Sequence, residues 1–567
     1  MQKKIFNKLS WILLVLAFVI INFLGSIINT KIDLTKEKRY TINKATSNIL
    51  QKLEDKVEVI VFLNGDLPSG FKKLANTTED FLRLLKENNS SKISYQFVSA
   101  DDDMPDADKK YQDTLVALGA TPINLTVQIK QGQQSKLVFP YALVKYQERE
   151  ELVNLYSGKR RVITQDEINS AEALMEYNFA KTFDGLINTD KPLIAYTIGN
   201  GELTDVRTYD LLQTLKKDYN LFTFDLNKRP IIPDTFKVLM MVKPSIEFTE
   251  DEKLKIDQYL LRGGKVLCFI DNLNAEQDSL RIKPELVAYD RNLNLTDLFF
   301  KYGVRINTDL VMDLQCDFMP FGVGGTKENP QFEFLHWNYY PLFESKNNHP
   351  INKGLGLIAG RFVNSIDTVK AVDVQKTIIL STSTNARKLG TPALISLNEN
   401  RNTPEDVLFK QKNVPVAVLL EGKFTSLFRN RISKQQADTM ASKGLPYLEE
   451  SIGNGKMMVV ADGDIVLNDA SQKEGPLPMG LNLFTLGSQY EYQFANRDFL
   501  LNCLGFFTNN EAIIATRNKE IILRLLNTQK IEEEKILWQL LNIGMPIALT
   551  IFCGFIYQII RRKKYGL

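Results

Sequence analysis

VLMMVKPSIEFTEDEKLKIDQYLLRGGKVLCFID (Val238 to Asp271) holds a strand, a helix and a second strand in one unbroken stretch. Its ends, VLMMV and KVLCFID, are apolar runs of the length of buried strands. Between them, Thr249 stands as an N-cap with Glu252 at the capping-box position, and Gly263-Gly264 closes the helix. Two fully apolar strands joined by a helix belong to a parallel sheet covered on both faces.

The same alternation continues on either side. Upstream, PLIAYTIGNGE is a buried strand that ends in a Gly-rich turn; a helix from about Thr204 to Lys217 and the strand FTFDL follow. Downstream, KMMVVADGDIVLN is a strand that ends in an acidic turn, and a helix follows from about Arg497 to Phe507. Residues 191–510 therefore read as a doubly wound α/β domain. Beyond Asp309 the pattern loosens. Gly, Pro and aromatics crowd Asp313 to Tyr340, and TIILST and VPVAVLLEG are isolated strand candidates, so a β-rich insertion is expected over about 309–425.

Residues 31–190 form a different unit. An amphipathic helix from about Asn43 to Leu53 precedes a strand (Val57 to Leu63), a helix (Pro68 to Lys86), a strand (Ile93 to Val98) and a hairpin, LTVQIKQGQQSKLVFPYALV, across Gly132. A helix from about Gln165 to Phe183 ends the unit. A parallel pair crossed by a helix and followed by an antiparallel hairpin is the order of a thioredoxin-like domain. The Cys-x-x-Cys of the redox enzymes is missing near Asn64 to Gly70, so a scaffold is expected.

Both ends of the chain are apolar. Leu9 to Ile28 and Ile536 to Ile560 each reach the ~20 residues a helix needs to cross a bilayer. The first is longer than a signal-peptide core and is followed by no small-x-small cleavage site, so it reads as an uncleaved anchor (1–30). The second (536–560) carries Trp538 and Tyr557 at its edges and runs into Arg561-Arg562-Lys563-Lys564, a basic tail (561–567) that places the C-terminus in the cytoplasm. Two spans then put both termini in the cytoplasm and the body on the outer side of the membrane. Residues 511–535, charged but with Ile and Leu at helical spacing, read as a stalk.

Several function classes are excluded. A net charge of +3 on 567 residues gives no nucleic-acid footprint. Four cysteines, one inside a span and one inside KVLCFID, make no disulfide framework, although Cys316 and Cys503 are left free to pair or not. Cys268, flanked by Leu267 and Phe269, is no nucleophile at a sharp turn, and no Gly-x-Ser-x-Gly elbow exists. Gly65 to Lys72 reads GDLPSGFK, with Phe71 where a phosphate loop needs its lysine. With His336 and His349 the only histidines, no histidine-rich zinc site can form. No catalytic residue, cofactor or metal is expected.

The candidates that remain are for binding. Gly199, Asn200, Gly201 and Glu202 follow one strand, and Asp462, Gly463 and Asp464 follow another; at the carboxyl ends of a parallel sheet these turns would share a ligand-binding rim. Two other readings stand beside this one. Glycines there permit tight turns while acids cap helices, or Asp462, Asp464 and Glu202 hold a divalent ion.

The collar DLTKEKRYTI after the first span, the GNGE turn, KPSIEFTEDEKLKIDQYLLRGGKVLCFID, ADGDIVLN, NRDFLLN and the terminal span, in that order, resemble the GldG family. These are gliding-motility-associated auxiliary subunits of an ABC transporter in Bacteroidetes-type bacteria. The resemblance covers nearly the whole chain. It implies a permease and a cytoplasmic ATPase as partners, a link to gliding or to protein secretion, and a class I glutamine amidotransferase-like domain without its active site. It also implies Gly-His-Gly-Glu at the first turn, where this chain has Asn200, which weakens an acid-base or metal role there. Leu34, Glu37, Arg39, Tyr40, Arg524 and Trp538 then become candidate contacts with the permease. The rival class is a stand-alone membrane-anchored receptor for a sugar, peptide or cell-wall fragment.

Overall fold

The computed structural model describes residues 16–20, 22, 41–518, 534–535 and 537–566, apart from 90–91, 105–108, 130–131, 157, 159–162, 327–329, 345–346, 398–405, 443–445 and 509–510. Most of the expected first span, the collar Leu34 to Tyr40 and most of the stalk lie outside the described residues. The chain divides into two units, Met1–Glu520 and Ile521–Leu567.

In the first unit the helix α1 (Lys44–Gln51) is capped by Asn43, whose side chain accepts the Ala45 N–H. Strand β1 (Val57–Val61), helix α2 (Ser69–Asn88) and strand β2 (Ile93–Phe97) follow, with β1 and β2 parallel. Strands β3 (Tyr141–Tyr146) and β4 (Arg149–Asn154) form an antiparallel hairpin, and β3 pairs with β1, giving a sheet in the order β2-β1-β3-β4. Phe71, Leu74, Phe81, Leu82 and Leu85 form the buried stripe of α2. Helix α3 (Gln165–Ile187) starts from a full capping box between Thr164 and Glu167 and adds Phe179 and Phe183 to the same core.

One expectation is corrected here. The hairpin across Gly132 pairs only Ile123–Ile129 with Gly132–Val138, as a separate two-stranded sheet. Pro140 interrupts the run, having no N–H for a ladder. The following YALVKY, apolar where the hairpin is polar, is buried almost throughout and joins the larger sheet.

The later part of this unit is built on seven strands: β5 (Leu193–Ile198), β6 (Asn220–Asp225), β7 (Val238–Val242), β8 (Lys265–Phe269), β9 (Val374–Ser381), β10 (Pro415–Gly422) and β11 (Gly455–Val460). Their order is β9-β10-β11-β8-β7-β5-β6. The five strands from β11 to β6 are parallel, and the chain winds outward from β5 in both directions. Helices α4 (Tyr209–Asp218), α5 (Glu250–Leu261) and α6 (Asn496–Phe507) pack on it. Alternate side chains feed two cores: Leu267 and Phe269 of β8 enter one, and Val266 and Cys268 enter the other. The capping box of Thr249 and Glu252 forms on α5.

The expected insertion is smaller than 309–425. TIILST falls in β9 up to Ser381 and VPVAVLLEG in β10 from Pro415; β10 pairs antiparallel with β11, and β9 pairs antiparallel with β10 at the edge of the same sheet. Val416 to Leu420 are all buried, and such a run needs a sheet neighbour and cover on both faces. What stays outside the sheet includes Asp309–Asp313 paired with Ala386–Gly390 and the long hairpin Cys316–Gly325 with Pro330–Phe343. Trp337, Tyr339, Tyr340 and Phe362 form its aromatic core.

In the second unit, Leu537–Tyr565 is a 29-residue helix, long and apolar enough to cross a membrane, with an 18-residue stretch of mean hydropathy 1.9. At ~1.5 Å per residue it reaches about 43 Å. Its turn Leu540–Gly544 is a π-helix that ends two residues before Pro546. A wide turn at that point makes room for a ring that offers no N–H to the preceding turn.

Candidate functional site

Four parallel strands, β5, β7, β8 and β11, end side by side, and the turns after β5 and β11 carry the polar residues singled out in the sequence. The two halves of the expected rim are built differently.

The turn after β5 closes on itself. Gly199 and Gly201 have φ of 119° and 77°. A Cβ on Gly201 would lie 2.1 Å from the Ser245 Oγ, so only glycine fits. The Asn200 carbonyl accepts the N–H groups of Ser245 (2.8 Å) and Ile246 (2.9 Å), tying the turn to the loop after β7. Glu202 points inward: it accepts from the Thr197 hydroxyl and from the Asn200 N–H, each at 2.8 Å. Burial pushes its carboxyl above the usual range against those hydrogen bonds. Asn200 Nδ2 donates to Glu252 Oε2 at 3.1 Å.

The turn after β11 is held from outside. Asp462 is fully buried, with Oδ1 accepting the Asp464 N–H and Oδ2 the Arg361 N–H, both at 2.8 Å. Burial, with Asp271 and Asp464 close by, pushes its carboxyl well above the usual aspartate range. Lys243, the first residue after β7, has φ of 48° and is only 4% exposed. Its ammonium reaches Asp464 at 2.7 Å and Asp271 and Glu276 at 3.1 Å. Burial alone would lower the lysine, but the three carboxylates outweigh it and hold it above its ordinary value. The Gly463 N–H donates to Asp271, and a Cβ on Gly463 would sit 2.7 Å from the Lys243 Cβ. Glycine here makes space for the lysine.

The structure thus gathers Asp462, Gly463 and Asp464 with Lys243, Asp271 and Glu276, which the sequence did not single out. Gly199 to Glu202 reach this cluster only through the Lys243–Ser245 loop. The ion considered between Asp462, Asp464 and Glu202 meets an obstacle. Glu202 is turned to Thr197 and Asn200, and an ammonium already holds Asp464. Among the described residues there is no group of three or more His, Cys, Asp or Glu side chains suited to a metal. One signal was legible: a lysine at the end of the all-apolar VLMMV must enter a protein interior, where it needs counter-charges.

Beside Asp464 opens a small cavity of about 20 Å³, lined among others by Asp317, Tyr340, Arg361 and Asn482. That is room for roughly one water. Arg361 is held bidentately by Asp469 (2.8 and 2.7 Å), and its guanidinium lies 5.3 Å from the Tyr340 ring centre. Asp317 accepts from Asn482 Nδ2 at 2.8 Å, and burial pushes its carboxyl up. The Tyr340 hydroxyl is buried with no hydrogen-bond partner.

The remaining candidates are soon placed. Leu34, Glu37, Arg39, Tyr40 and Arg524 lie outside the described residues. Trp538 is 55% exposed and donates to Glu534 at 2.9 Å. Cys268, Cys316 and Cys503 are free and buried, and burial pushes each thiol up. His336 stacks on Phe318 with its Nδ1 2.8 Å from the Cys316 carbonyl, and His349 caps the turn Pro350–Asn352.

Comparison with known proteins gives a family model described as ABC-type uncharacterized transport system over residues 191–503. A second, Domain of unknown function (DUF7088), matches residues 36–145. A Borreliella burgdorferi protein described as uncharacterized is 21% identical over 417 residues, covering 71% of this chain and 75% of its own. Among solved structures, the mmIFT52 N-terminal domain aligns at 14% identity and a TM-score of 0.31, over 56% of this chain and 97% of that one. PurLQS from Thermotoga maritima aligns at 9% and 0.22, over 56% and 99%.

Proposed function

The chain belongs to the ABC-type uncharacterized transport system family, and from that premise we propose that it is a non-catalytic auxiliary subunit of an ABC transporter complex. The family match across residues 191–503 carries this reading, and the apolar helix Leu537–Tyr565 supports it. We place the chain in a bacterial inner membrane, with a second span at the N-terminus, both termini cytoplasmic and the body periplasmic. The finer assignment, a GldG-type subunit serving gliding motility or protein secretion, rests on the motif order of the sequence. In it a permease contacts the spans, and a cytoplasmic ATPase supplies the energy.

The chemistry at hand favours binding and transmission over catalysis. Cys268 sits mid-strand with its thiol pushed up by burial, and Asp271 and Asp464 are tied to Lys243. The first sheet then serves as a thioredoxin-like scaffold, and the second as an amidotransferase-like body without its chemistry.

Transmission has a physical anchor. Before leaving the first unit, the chain packs residues 511–518 against α1 and α3 of the first sheet and against α6 of the second. Arg517 is 3% exposed, lies 4.0 Å from the Tyr177 ring centre and pairs with Asp498 at 3.3 Å. A pull on the chain here is delivered to both sheets. Replacing Glu532 to Lys535 by a flexible Gly/Ser segment is expected to leave the complex assembled but abolish its activity; normal gliding or secretion by that variant contradicts transmission. A pull-down in detergent, read by mass spectrometry, is expected to bring a permease and an ATPase. Elution alone favours the rival, a stand-alone receptor.

A further inference from the structure

Residues 41–187 and 193–507 build two bodies around separate cores. The covalent link between them, residues 188–191, is exposed and lies outside any helix or strand. Among the described residues, every extensive contact between the helices and strands of one body and those of the other runs through residues 511–518. Two ion pairs also cross, Lys181 with Asp218 at 2.5 Å and Lys217 with Glu151 at 3.6 Å. Bodies joined by a short linker move relative to each other unless a large apolar interface holds them, so the orientation here depends on what residues 511–518 supply.

That segment is a helical turn, Glu511–Ile514, followed by a 3-10 turn, Ala515–Asn518. Its neighbouring isoleucines part company: Ile513 enters the core of the first body and Ile514 that of the second. Gly505 leaves space for the latter, since a Cβ there would lie 3.0 Å from the Ile514 Cδ1. Arg517, 3% exposed, serves both bodies with one guanidinium, 4.0 Å from the centre of the Tyr177 ring on α3 and 3.3 Å from Asp498 on α6. The Asn43 side-chain amide donates to the Ala515 carbonyl at 3.3 Å. Every other buried member of these two cores comes from within its own body. Drawing the segment out therefore takes one residue from each core and leaves the sheets and their covering helices in place.

We propose that residues 511–518 are a releasable strap that fixes the angle between the two bodies, and that withdrawing it frees them to turn about residues 188–191. Hinges of this kind are a few loop residues that absorb the backbone change. The inference goes beyond the auxiliary-subunit reading: it concerns the chain alone and does not depend on which proteins co-purify. A pull from the C-terminal side then has a defined outcome, a change of angle between the bodies.

The test uses the full chain in detergent with Cys553→Ser, because Cys553 is exposed while Cys268, Cys316 and Cys503 are buried. Spin labels on Glu79→Cys in the first body and Lys301→Cys in the second, both exposed positions, report the distance between the bodies by pulsed electron resonance. One narrow distance peak is expected for the parent. Arg517→Ala, which removes neither isoleucine, is expected to broaden that peak, and Arg517→Lys, which keeps the charge, to broaden it less. Adding Ile513→Ala and Ile514→Ala to Arg517→Ala is expected to abolish the narrow peak. Hydrogen exchange should show β1 and β8 still protected in Arg517→Ala, so that the broadening reports a hinge and not unfolding. The proposal is overturned if Arg517→Ala keeps the parent's peak, if the parent is already as broad as the triple variant, or if protection of β1 or β8 is lost in Arg517→Ala. That last result would make the segment part of one body's fold.

Discussion

Two turns at the same end of one sheet reach order by opposite routes. Gly199 to Glu202 is tied by hydrogen bonds to Thr197, Ser245, Ile246 and Glu252, with its glutamate turned inward to the Thr197 hydroxyl and the Asn200 N–H. Asp462 to Asp464 depends on a lysine in left-handed backbone and on residues far away in the chain. The first turn is a brace. The second is a charged junction that sits beside an open cavity and a hydroxyl without a partner, and in such a junction removing one member exposes all the others.

The contrast can be broken first at Lys243. Lys243→Met leaves Asp271, Asp464 and Glu276 without their shared cation and is expected to destabilise the fold by about 3–5 kcal/mol, read from urea unfolding. Hydrogen exchange at Gly199 to Glu202 should change little in that variant; loss of protection there would mean the two turns are one unit. Gly201→Ala probes the other side, where a Cβ meets Ser245 at a φ of 77°. A loss of about 1–3 kcal/mol is expected, with protection lost in the Lys243–Ile246 loop.

A smaller effect concerns pH. The Asp462 carboxyl is raised in the fold, so the folded state holds that proton more tightly than the unfolded chain does. Its contribution to stability is therefore complete below the ordinary aspartate range and is lost as pH rises through the folded value. Asp462→Asn does not titrate. Its stability deficit relative to the parent is expected to be greatest in acid and to shrink as pH rises, by no more than about 1.4 kcal/mol per pH unit. A deficit that grows with pH would show that the carboxylate is the favoured form. The smallest change is Tyr340→Phe, expected to move stability by less than about 1 kcal/mol.

Much of this was legible where the signal is local. The strand-helix-strand of Val238 to Asp271, the capping box at Thr249 and the glycine turns all follow from neighbours within a few residues. The destination of TIILST and VPVAVLLEG was not: an apolar run says that it is buried and leaves open against which sheet. Lys243 was missed for the same reason, since Asp464 is 221 positions away. Arg361, which joins Asp462 and Asp469 across 101 and 108 positions, left no local trace at all. Long-range charge pairing is set by topology, which sequence periodicity does not encode.

Trp538, exposed at the start of the apolar helix, offers the most direct measurement. A photo-crosslinking residue placed there in intact cells is expected to capture a multi-span permease, identified by mass spectrometry of the adduct. Adducts with lipid or with the chain itself alone would contradict its role as a transporter subunit.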